Sequence, residues 1–204
     1  MTENKIHQIC KRYNVTNYTI NSDMSIDVEG DVDLHRRGLT ELPLTFNIIH
    51  GGFYCGDNSL ISLKGSPIEI HGNFNCIRNK LKSLKYSPEV IKGNAEFPYN
   101  KIKDLKHVPK CHGIDLFNND IRDFKYLENI KILDVSGINP VYEIVLLFSG
   151  RYGRPSIEQI KYFNELDIIR DNGYTVILDR LNYFLQDMGK DEIQKNDIVN
   201  YIVK

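Results

Sequence analysis

"HGGFYCGDNSLISLKGSP" at residues 50–67 and "HGNFNCIRNKLKSLKYSP" at residues 71–88 are two copies of one motif, offset by 21 residues. The copies agree at His, Gly, Phe, Cys, Asn, Leu, Ser, Lys and Pro. A motif that recurs at a fixed period of this size is typical of solenoid proteins, in which each unit buries its apolar edge against its neighbours. The duplicated stretch therefore predicts the fold.

Five units align with this motif, beginning at Gly30, Gly51, Gly72, Gly93 and, after a two-residue deletion, His112. Positions are numbered within a unit from these residues. The third, fifth, tenth and thirteenth positions are apolar, and the eighth is Asn except in the first unit, where it is Arg37. An alternating strand followed by Asn and two further apolar residues predicts an α/β leucine-rich-repeat solenoid with a short parallel sheet.

The segments on both sides of the repeats predict caps. Residues 4–15 place apolar side chains on one helical face, and residues 18–28 alternate like a two-stranded hairpin. Residues 131–137 indicate a last, degenerate strand, and the segments after it indicate helices. We therefore predict an N-terminal helix-and-hairpin cap at 1–29, a solenoid of five to six units at 30–137, and a mostly helical C-terminal cap or subdomain at 138–204.

Composition gives little indication of a partner. Lys and Arg total 26 against 27 Asp and Glu, so a formal net charge of −1 gives no general attraction to nucleic acid or membrane. No basic segment precedes an apolar one at the N-terminus, and the longest apolar run covers only residues 144–148. We expect a soluble, cytoplasmic protein whose four cysteines are reduced thiols.

The paired His50, Cys55, His71 and Cys76 invite a metal site, but their spacing argues against one. Five residues of strand separate the His and Cys of a unit by roughly 16 Å. The fifth position is apolar in the other units, so Cys55 and Cys76 are predicted to be core residues. A disulfide between the two under oxidation is the alternative.

The Asn column is also predicted to be structural. Inward-facing Asn58, Asn79, Asn100 and Asn119 can hydrogen-bond backbone groups of their own coil and the adjacent one. The sequence contains no phosphate-binding loop, nucleophile elbow or metalloprotease motif. We expect a binding protein that is not an enzyme and that carries no metal or cofactor.

Alternation identifies the face that would bind a partner. If the third and fifth positions point inward, the second, fourth and sixth point out of the sheet. These columns carry carboxylates, amides and a few large apolar residues, and they hold no Lys or Arg, which suits a basic protein partner. Alternatively, the C-terminal segment covers this stripe, or isolated apolar residues are simply exposed. The candidate partner-binding residues are Asp33, Tyr54, Asn75, Ile77, Glu96, Pro98, Asp115 and Phe117.

A second column of repeated charge lies on the predicted convex side. The fourteenth position is Lys64, Lys85, Lys106 and Lys125 in successive units. This column could follow the phosphates of a nucleic acid. A column that lacks interleaved exposed aromatic residues more often serves only to solvate its face. A small basic and aromatic loop, with Arg151, Tyr152 and Arg154, has no assigned role.

The motifs "GGFYCGDNSLISLKGSP" and "GNFNCIRNKLKSLKYSP" resemble a family of short leucine-rich-repeat proteins of large lytic tailed phages, with the pattern G-x-F-x-C-x-x-N-x-L-x-S-L-x-x-x-P. The lead-in "YNVTNYTINSDMSIDVEGDVDL" and the tail "IRDNGYTVILDRLNYFLQDMG" are similar to those of the family, so the resemblance covers most of the chain. Arg37, the Ala95 and Phe97 pair, and the shortened fifth unit depart from the pattern.

The resemblance implies a phage accessory protein in the cytoplasm of an infected bacterium. Such proteins often bind and disable a host protein. Together with the acidic exposed columns, this predicts a monomeric inhibitor of a basic host defence protein, for example a DNA-modifying ADP-ribosyltransferase toxin. Two alternatives stay open, namely a nucleic-acid-binding protein that uses the Lys column and a structural or virion-associated adaptor.

Overall fold

A helix and a hairpin open the chain. In the computed structural model, which describes residues 1–127, 132–135, 139–149, 155–171 and 173–204, helix α1 (Glu3–Tyr13) buries Ile6 and Cys10. Strands β1 (Tyr18–Ile20) and β2 (Ile26–Val28) then pair antiparallel. The N-terminal helix and hairpin are therefore present as predicted. Strand β2 also pairs in parallel with residues 46–49 of the first repeat unit.

The repeats wind into a solenoid with two parallel sheets. Sheet I has the order β11-β10-β9-β7-β5-β3, and sheet II has the order β1-β2-β4-β6-β8. This arrangement confirms the predicted α/β repeat solenoid. In chain order the repeat strands are β3 (Val32–Asp33), β4 (Phe46–Ile49), β5 (Phe53–Tyr54), β6 (Glu69–Ile70), β7 (Phe74–Asn75), β8 (Val90–Ile91), β9 (Ala95–Glu96), β10 (Gly113–Asp115) and β11 (Ile132–Asp134).

Sheet II was not predicted. Each of its later strands is two residues long, and each has a single inward apolar residue, such as Ile70 or Ile91. So short a segment has no alternation that the sequence could reveal. It becomes a strand because stacked coils place equivalent extended segments side by side, with Glu69 in register with Val90.

The core runs along the axis of the solenoid. The third, fifth, tenth and thirteenth positions are buried throughout the five units, as predicted. A line of aromatic rings crosses the coils, with centroid distances of 4.9 Å from Phe46 to Phe53, 5.8 Å from Phe53 to Phe74, and 5.3 Å from Phe74 to Phe97. Each coil thus covers the apolar edge of the one before it.

The Asn ladder forms the bend after sheet I. Asn79 Oδ1 accepts the N–H of Leu60 in the preceding coil at 2.9 Å, and Asn79 Nδ2 donates to the carbonyls of Cys55 and Cys76 at 3.0 and 3.3 Å. The same pattern recurs at the other Asn residues of the column. Asn139, read from the sequence only as a helix start, continues the ladder by accepting the N–H of Ile121.

The C-terminal cap combines helices with a small sheet. Phe148, Phe163 and Phe184 pack together there, and Phe163 also contacts Phe124 of the last unit. No helix in the described part of the chain is long and apolar enough to cross a bilayer. The elements are α2 (Pro140–Ser149), α3 (Ile157–Glu165), β12 (Ile169–Arg170), β13 (Thr175–Val176), α4 (Leu178–Asp187) and β14 (Ile202–Val203).

The last segment corrects one expectation. Residues 195–203 were expected to continue as helix, but they form a single 3-10 turn at Lys195–Asp197 followed by β14. Strand β14 pairs in parallel with β13, which pairs antiparallel with β12. The edge of β13 provides backbone partners for the segment, and Ile198, Tyr201 and Val203 become buried there.

Candidate functional site

The fourth positions form an in-register row across sheet I. Backbone pairing places equivalent residues of adjacent strands side by side, and it adds Asp134 of β11 to the row that the sequence predicted. Asp134 was not predicted from the sequence because the motif of its unit is degenerate. The alternation of residues around it could have indicated that it points out of the sheet. We call this row the acidic face; its residues are Asp33, Tyr54, Asn75, Glu96, Asp115 and Asp134.

Three polar side chains of the acidic face, those of Asp33, Asn75 and Asp115, also hold the turn that follows their own strand. Asp33 Oδ1 accepts the N–H of His35 at 2.9 Å, and Asp115 Oδ1 accepts the N–H of Phe117 at 2.8 Å. Asn75 Nδ2 donates to Glu96 Oε2. These contacts fix the direction of the side chains, so the face is preorganised for a partner.

Tyr54 lies flat on sheet I. A Cβ added at Gly52 would fall 2.6 Å from Tyr54 Cζ, so glycine provides the space that the ring occupies. The ring also stacks on His35, with centroids 6.0 Å apart. Burial raises the pKa of Tyr54, and the carboxylates of Asp31, Glu96 and Asp33 raise it further. The phenol therefore stays neutral and can act as an apolar anchor with a hydrogen-bonding tip.

The carboxylates at one end of the row border an open depression of about 260 Å³. Asn94, Glu96, Asp115 and Asp134 line it, together with the backbone of Gly113. The depression is shallow and polar, which suits the tip of a partner's basic side chain better than an enclosed small molecule.

The expected apolar stripe differs from the sequence prediction. Ile77 and Phe117 are half-buried, but Pro98 is buried, so its predicted exposure is wrong. Tyr99, which sequence reasoning passed over, is 42% exposed and packs edge-on against Phe117 at 5.3 Å. The exposed aromatic contribution in this part of the face therefore comes from the seventh position.

The seventh position carries charges beside the acidic face. Its backbone is left-handed in every unit, with φ between 49° and 56°. Asp57 lies 3.2 Å from Arg36 and 3.7 Å from Arg78, and the Arg78 guanidinium lies 4.9 Å from the Tyr99 ring centroid. The border of the face is thus a chain of paired charges, although the strands themselves carry no Lys or Arg.

The second positions, by contrast, are structural. Asp31 Oδ1 accepts the N–H of Gly52 at 2.6 Å, and Asn73 Oδ1 accepts the N–H of Asn94 at 2.9 Å. Each side chain ties its coil to the next. Asp31 and Asn73 are therefore already committed to the fold.

The paired His and Cys residues are separated, as their spacing predicted. Cys55 and Cys76 are buried free thiols with Sγ atoms 3.2 Å apart, and burial raises the pKa of Cys55 well above its ordinary value. His50 and His71 lie on the outside with ring centroids 4.7 Å apart. Within the described ranges, no three His, Cys, Asp or Glu side chains are grouped to hold a metal ion.

The predicted Lys column lies on the side that joins sheet I to sheet II. Its four lysines are exposed, and further exposed lysines occupy the ninth and eleventh positions of the third and fourth units. Next to the column are Tyr86 and Tyr126, which are 51% and 52% exposed, so the expectation that exposed aromatics are missing is wrong. We call this surface the lysine face; its lysines are Lys64, Lys80, Lys82, Lys85, Lys101, Lys103, Lys106 and Lys125.

The basic loop with Arg151, Tyr152 and Arg154 lies outside the described residues. Comparison of the chain with protein-family models, curated proteins and solved structures found no match. Support for a function therefore comes from the geometry of the acidic face and the lysine face. Membership of the phage family stays a prediction.

Proposed function

We propose that the chain is a non-enzymatic protein-binding module that docks the acidic face on a basic protein. The observation that supports it is the in-register row of four carboxylates, in which the amphipathic Tyr54 and the amide Asn75 lie between Asp33 and Glu96. Ordered carboxylates steer and orient a basic partner, while Tyr54, Phe117 and Tyr99 provide anchors.

The chemistry of the face suits a nucleic-acid-handling partner. Such proteins carry basic grooves for phosphates, and the three consecutive carboxylates Glu96, Asp115 and Asp134, at about 4.8 Å intervals, can occupy a groove of this kind. The phage-family resemblance adds the source of the partner, a host defence protein, for example a DNA-modifying ADP-ribosyltransferase toxin. Binding in the groove would inhibit the partner by excluding its nucleic acid.

The test is a capture experiment from nuclease-treated bacterial lysate with the tagged full chain. We expect one stoichiometric protein of basic isoelectric point, lost in Glu96→Lys because the substitution reverses charge in the middle of the row. Tyr54→Ala and Phe117→Ala remove anchors, and each is expected to weaken binding at least tenfold. The purified partner then allows affinity to be measured by calorimetry.

A matched control separates the acidic face from general charge effects. Glu158→Lys changes the net charge equally, at an exposed site in α3. This control should retain the partner. Unchanged affinity in Glu96→Lys, Tyr54→Ala and Phe117→Ala, with all three still folded, would remove the acidic face as the docking site.

A further inference from the structure

We propose that the lysine face binds single-stranded nucleic acid without sequence preference. This inference goes beyond the protein partner of the acidic face, since it concerns a different side of each coil. The Asn ladder lies at the bend between the two surfaces.

Charge is strongly segregated in the third and fourth units. The segments at 79–87 and 100–108 carry six exposed lysines and a single carboxylate, Asp104, which accepts the backbone N–H of Lys106 at 3.0 Å. Adjacent coils repeat the lysines at about 4.8 Å intervals. In a chain with a formal net charge of −1, such a local excess is an attractive site for a polyanion.

Aromatic side chains lie beside this charge on a repeated turn. The N–H of Ser87 donates to the carbonyl of Leu84 at 2.9 Å, and the N–H of Ser66 donates to that of Leu63 at the same distance. The residue at the third place of the turn has a positive φ, namely 93° at Gly65, 69° at Tyr86, 63° at His107 and 72° at Tyr126. This is the type II turn, which favours glycine at that place.

Only Gly65 follows that preference. Tyr86, His107 and Tyr126 occupy a backbone conformation that is unfavourable for them, and all three are exposed, so the core does not require them. Strained backbone positions are enriched at functional sites, so these exposed side chains are candidates for a function. Lys85 Nζ lies 5.0 Å from the centroid of the Tyr86 ring, which places a cation and a stacking surface together.

The combination favours single strands over other polyanions. Exposed rings can stack only on unpaired bases, because the faces of duplex bases are covered. A lipid surface would require apolar residues to insert, but besides the two tyrosines the segments 58–66, 79–87, 100–108 and 119–127 expose a single large aliphatic side chain, Ile61. The ligand chemistry is therefore a flexible chain of phosphates with accessible bases.

The test is fluorescence anisotropy of the full chain with a labelled oligothymidylate of about 20 nucleotides at about 50 mM salt. We expect saturable binding. The double variant Lys85→Glu with Lys106→Glu should raise Kd at least tenfold and reduce the slope of log K against log salt by about 1.4, which is the value for two phosphate contacts on a single strand. The control Lys5→Glu with Lys190→Glu changes the charge equally at remote exposed sites and should leave both quantities unchanged.

The aromatic part of the proposal has its own variant. Tyr86→Gly with Tyr126→Gly removes both rings but suits the turn, so the melting temperature should not fall. Loss of stacking should raise Kd for the oligothymidylate at least tenfold and leave binding to a duplex of equal length unchanged. Equal affinity of this variant and the parent for the single strand would overturn the role of the rings.

Two other outcomes would overturn the proposal. One is the absence of anisotropy change at about 50 mM salt, where electrostatic binding is strong. The other is retention of the protein by phosphatidylglycerol vesicles but not by the oligonucleotide, which would make the surface lipid-binding. Because the assay contains no protein partner, neither outcome bears on the acidic face, and loss of partner capture would not bear on the lysine face.

Discussion

The acidic face and the lysine face belong to the same coils but are built differently. The acidic face lies on sheet I, whose four inner strands are hydrogen-bonded to neighbours on both sides and whose side chains are held by contacts such as Asn75 to Glu96. The lysine face lies on a segment held by the Asn ladder, a few inter-coil bonds such as Lys80 N–H to the Leu60 carbonyl, and the turn at its end. Its lysines are exposed, and the contacts of their ammonium groups lie at the surface, such as Lys103 Nζ at 3.8 Å from Asp120 Oδ2 and Lys85 Nζ at 5.0 Å from the Tyr86 ring centroid.

This difference indicates two modes of recognition. A preorganised row loses little conformational entropy when it binds, so it can orient one partner specifically. Long mobile lysines adapt to a chain of phosphates in many registers, which gives affinity without sequence preference. Substitutions at four places test this difference: the bend that joins the faces, the Tyr54 ring, the turn at Tyr86, and the carboxylates around Tyr54.

The largest effect is expected at the bend. Asn79→Ala removes the acceptor of the Leu60 N–H and a donor to two carbonyls, all in buried surroundings. We expect the free energy of unfolding to fall by about 2–4 kcal/mol, because buried backbone groups lose their partners. Urea denaturation measures it. Lys80→Ala, one residue away and exposed, is the control and should change stability by no more than about 0.5 kcal/mol. An equal, small effect of the two substitutions would contradict the ladder.

The next effect concerns the ring that lies on the acidic face. Gly52→Ala places a methyl group where the Tyr54 ring sits, so the ring must move. In a double-mutant cycle with Tyr54→Ala, we expect the cost of Gly52→Ala to disappear, giving a coupling energy of about 1–2 kcal/mol by urea denaturation. Additive effects would show that the ring does not occupy this place in solution.

The turn of the lysine face gives a smaller effect. Tyr86→Ala removes the ring but keeps a side chain in the left-handed region, whereas Tyr86→Gly removes both. The Gly variant should be more stable than the Ala variant by about 1 kcal/mol in thermal or urea unfolding. At Tyr183, an exposed residue inside α4, the order should reverse because Gly is unfavourable in a helix. The same order at both sites would contradict the strained turn.

The smallest effect is a shift of one pKa on the acidic face. Burial raises the pKa of Tyr54, and the negative charges of Asp31, Glu96 and Asp33 raise it further. Asp31→Asn or Glu96→Gln should lower this pKa because each removes a charge that opposes ionisation, while Lys85→Ala on the lysine face should not change it. NMR titration of ring-labelled tyrosine measures the shift. A Tyr54 pKa at or below its ordinary value would contradict the negative field.

Much of the scaffold could be predicted from the sequence. The inward positions repeat residue by residue, since an Asn or a Leu placed every 21 residues meets the same surroundings in each coil. The row of Asp33, Tyr54, Asn75, Glu96 and Asp115 followed from alternation once the period was known. These inferences succeed because burial and hydrogen-bond satisfaction limit which residues a position accepts.

Other features depended on the placement of the coils. Pro98 is buried although it was predicted to be exposed, and Tyr99, for which no prediction was made, is exposed. The seventh position has a left-handed backbone in each of the five units, and no residue type at that position indicates the turn. Tyr86 and Tyr126 join the lysines through a turn that would normally be recognised by glycine. Sheet II likewise formed from segments without a pattern.

The repeat period, the inward-facing columns, the helix and hairpin of the N-terminal cap, and the outward charges of sheet I followed from the sequence alone. Only the tertiary structure decided which outward residues lie next to one another between coils, including Asp134 beside Asp115 and Lys85 beside Tyr86. The physical reason is that a periodic core constrains every residue that it buries, whereas exposed neighbours are set by backbone turns whose dihedral angles the side chains do not dictate.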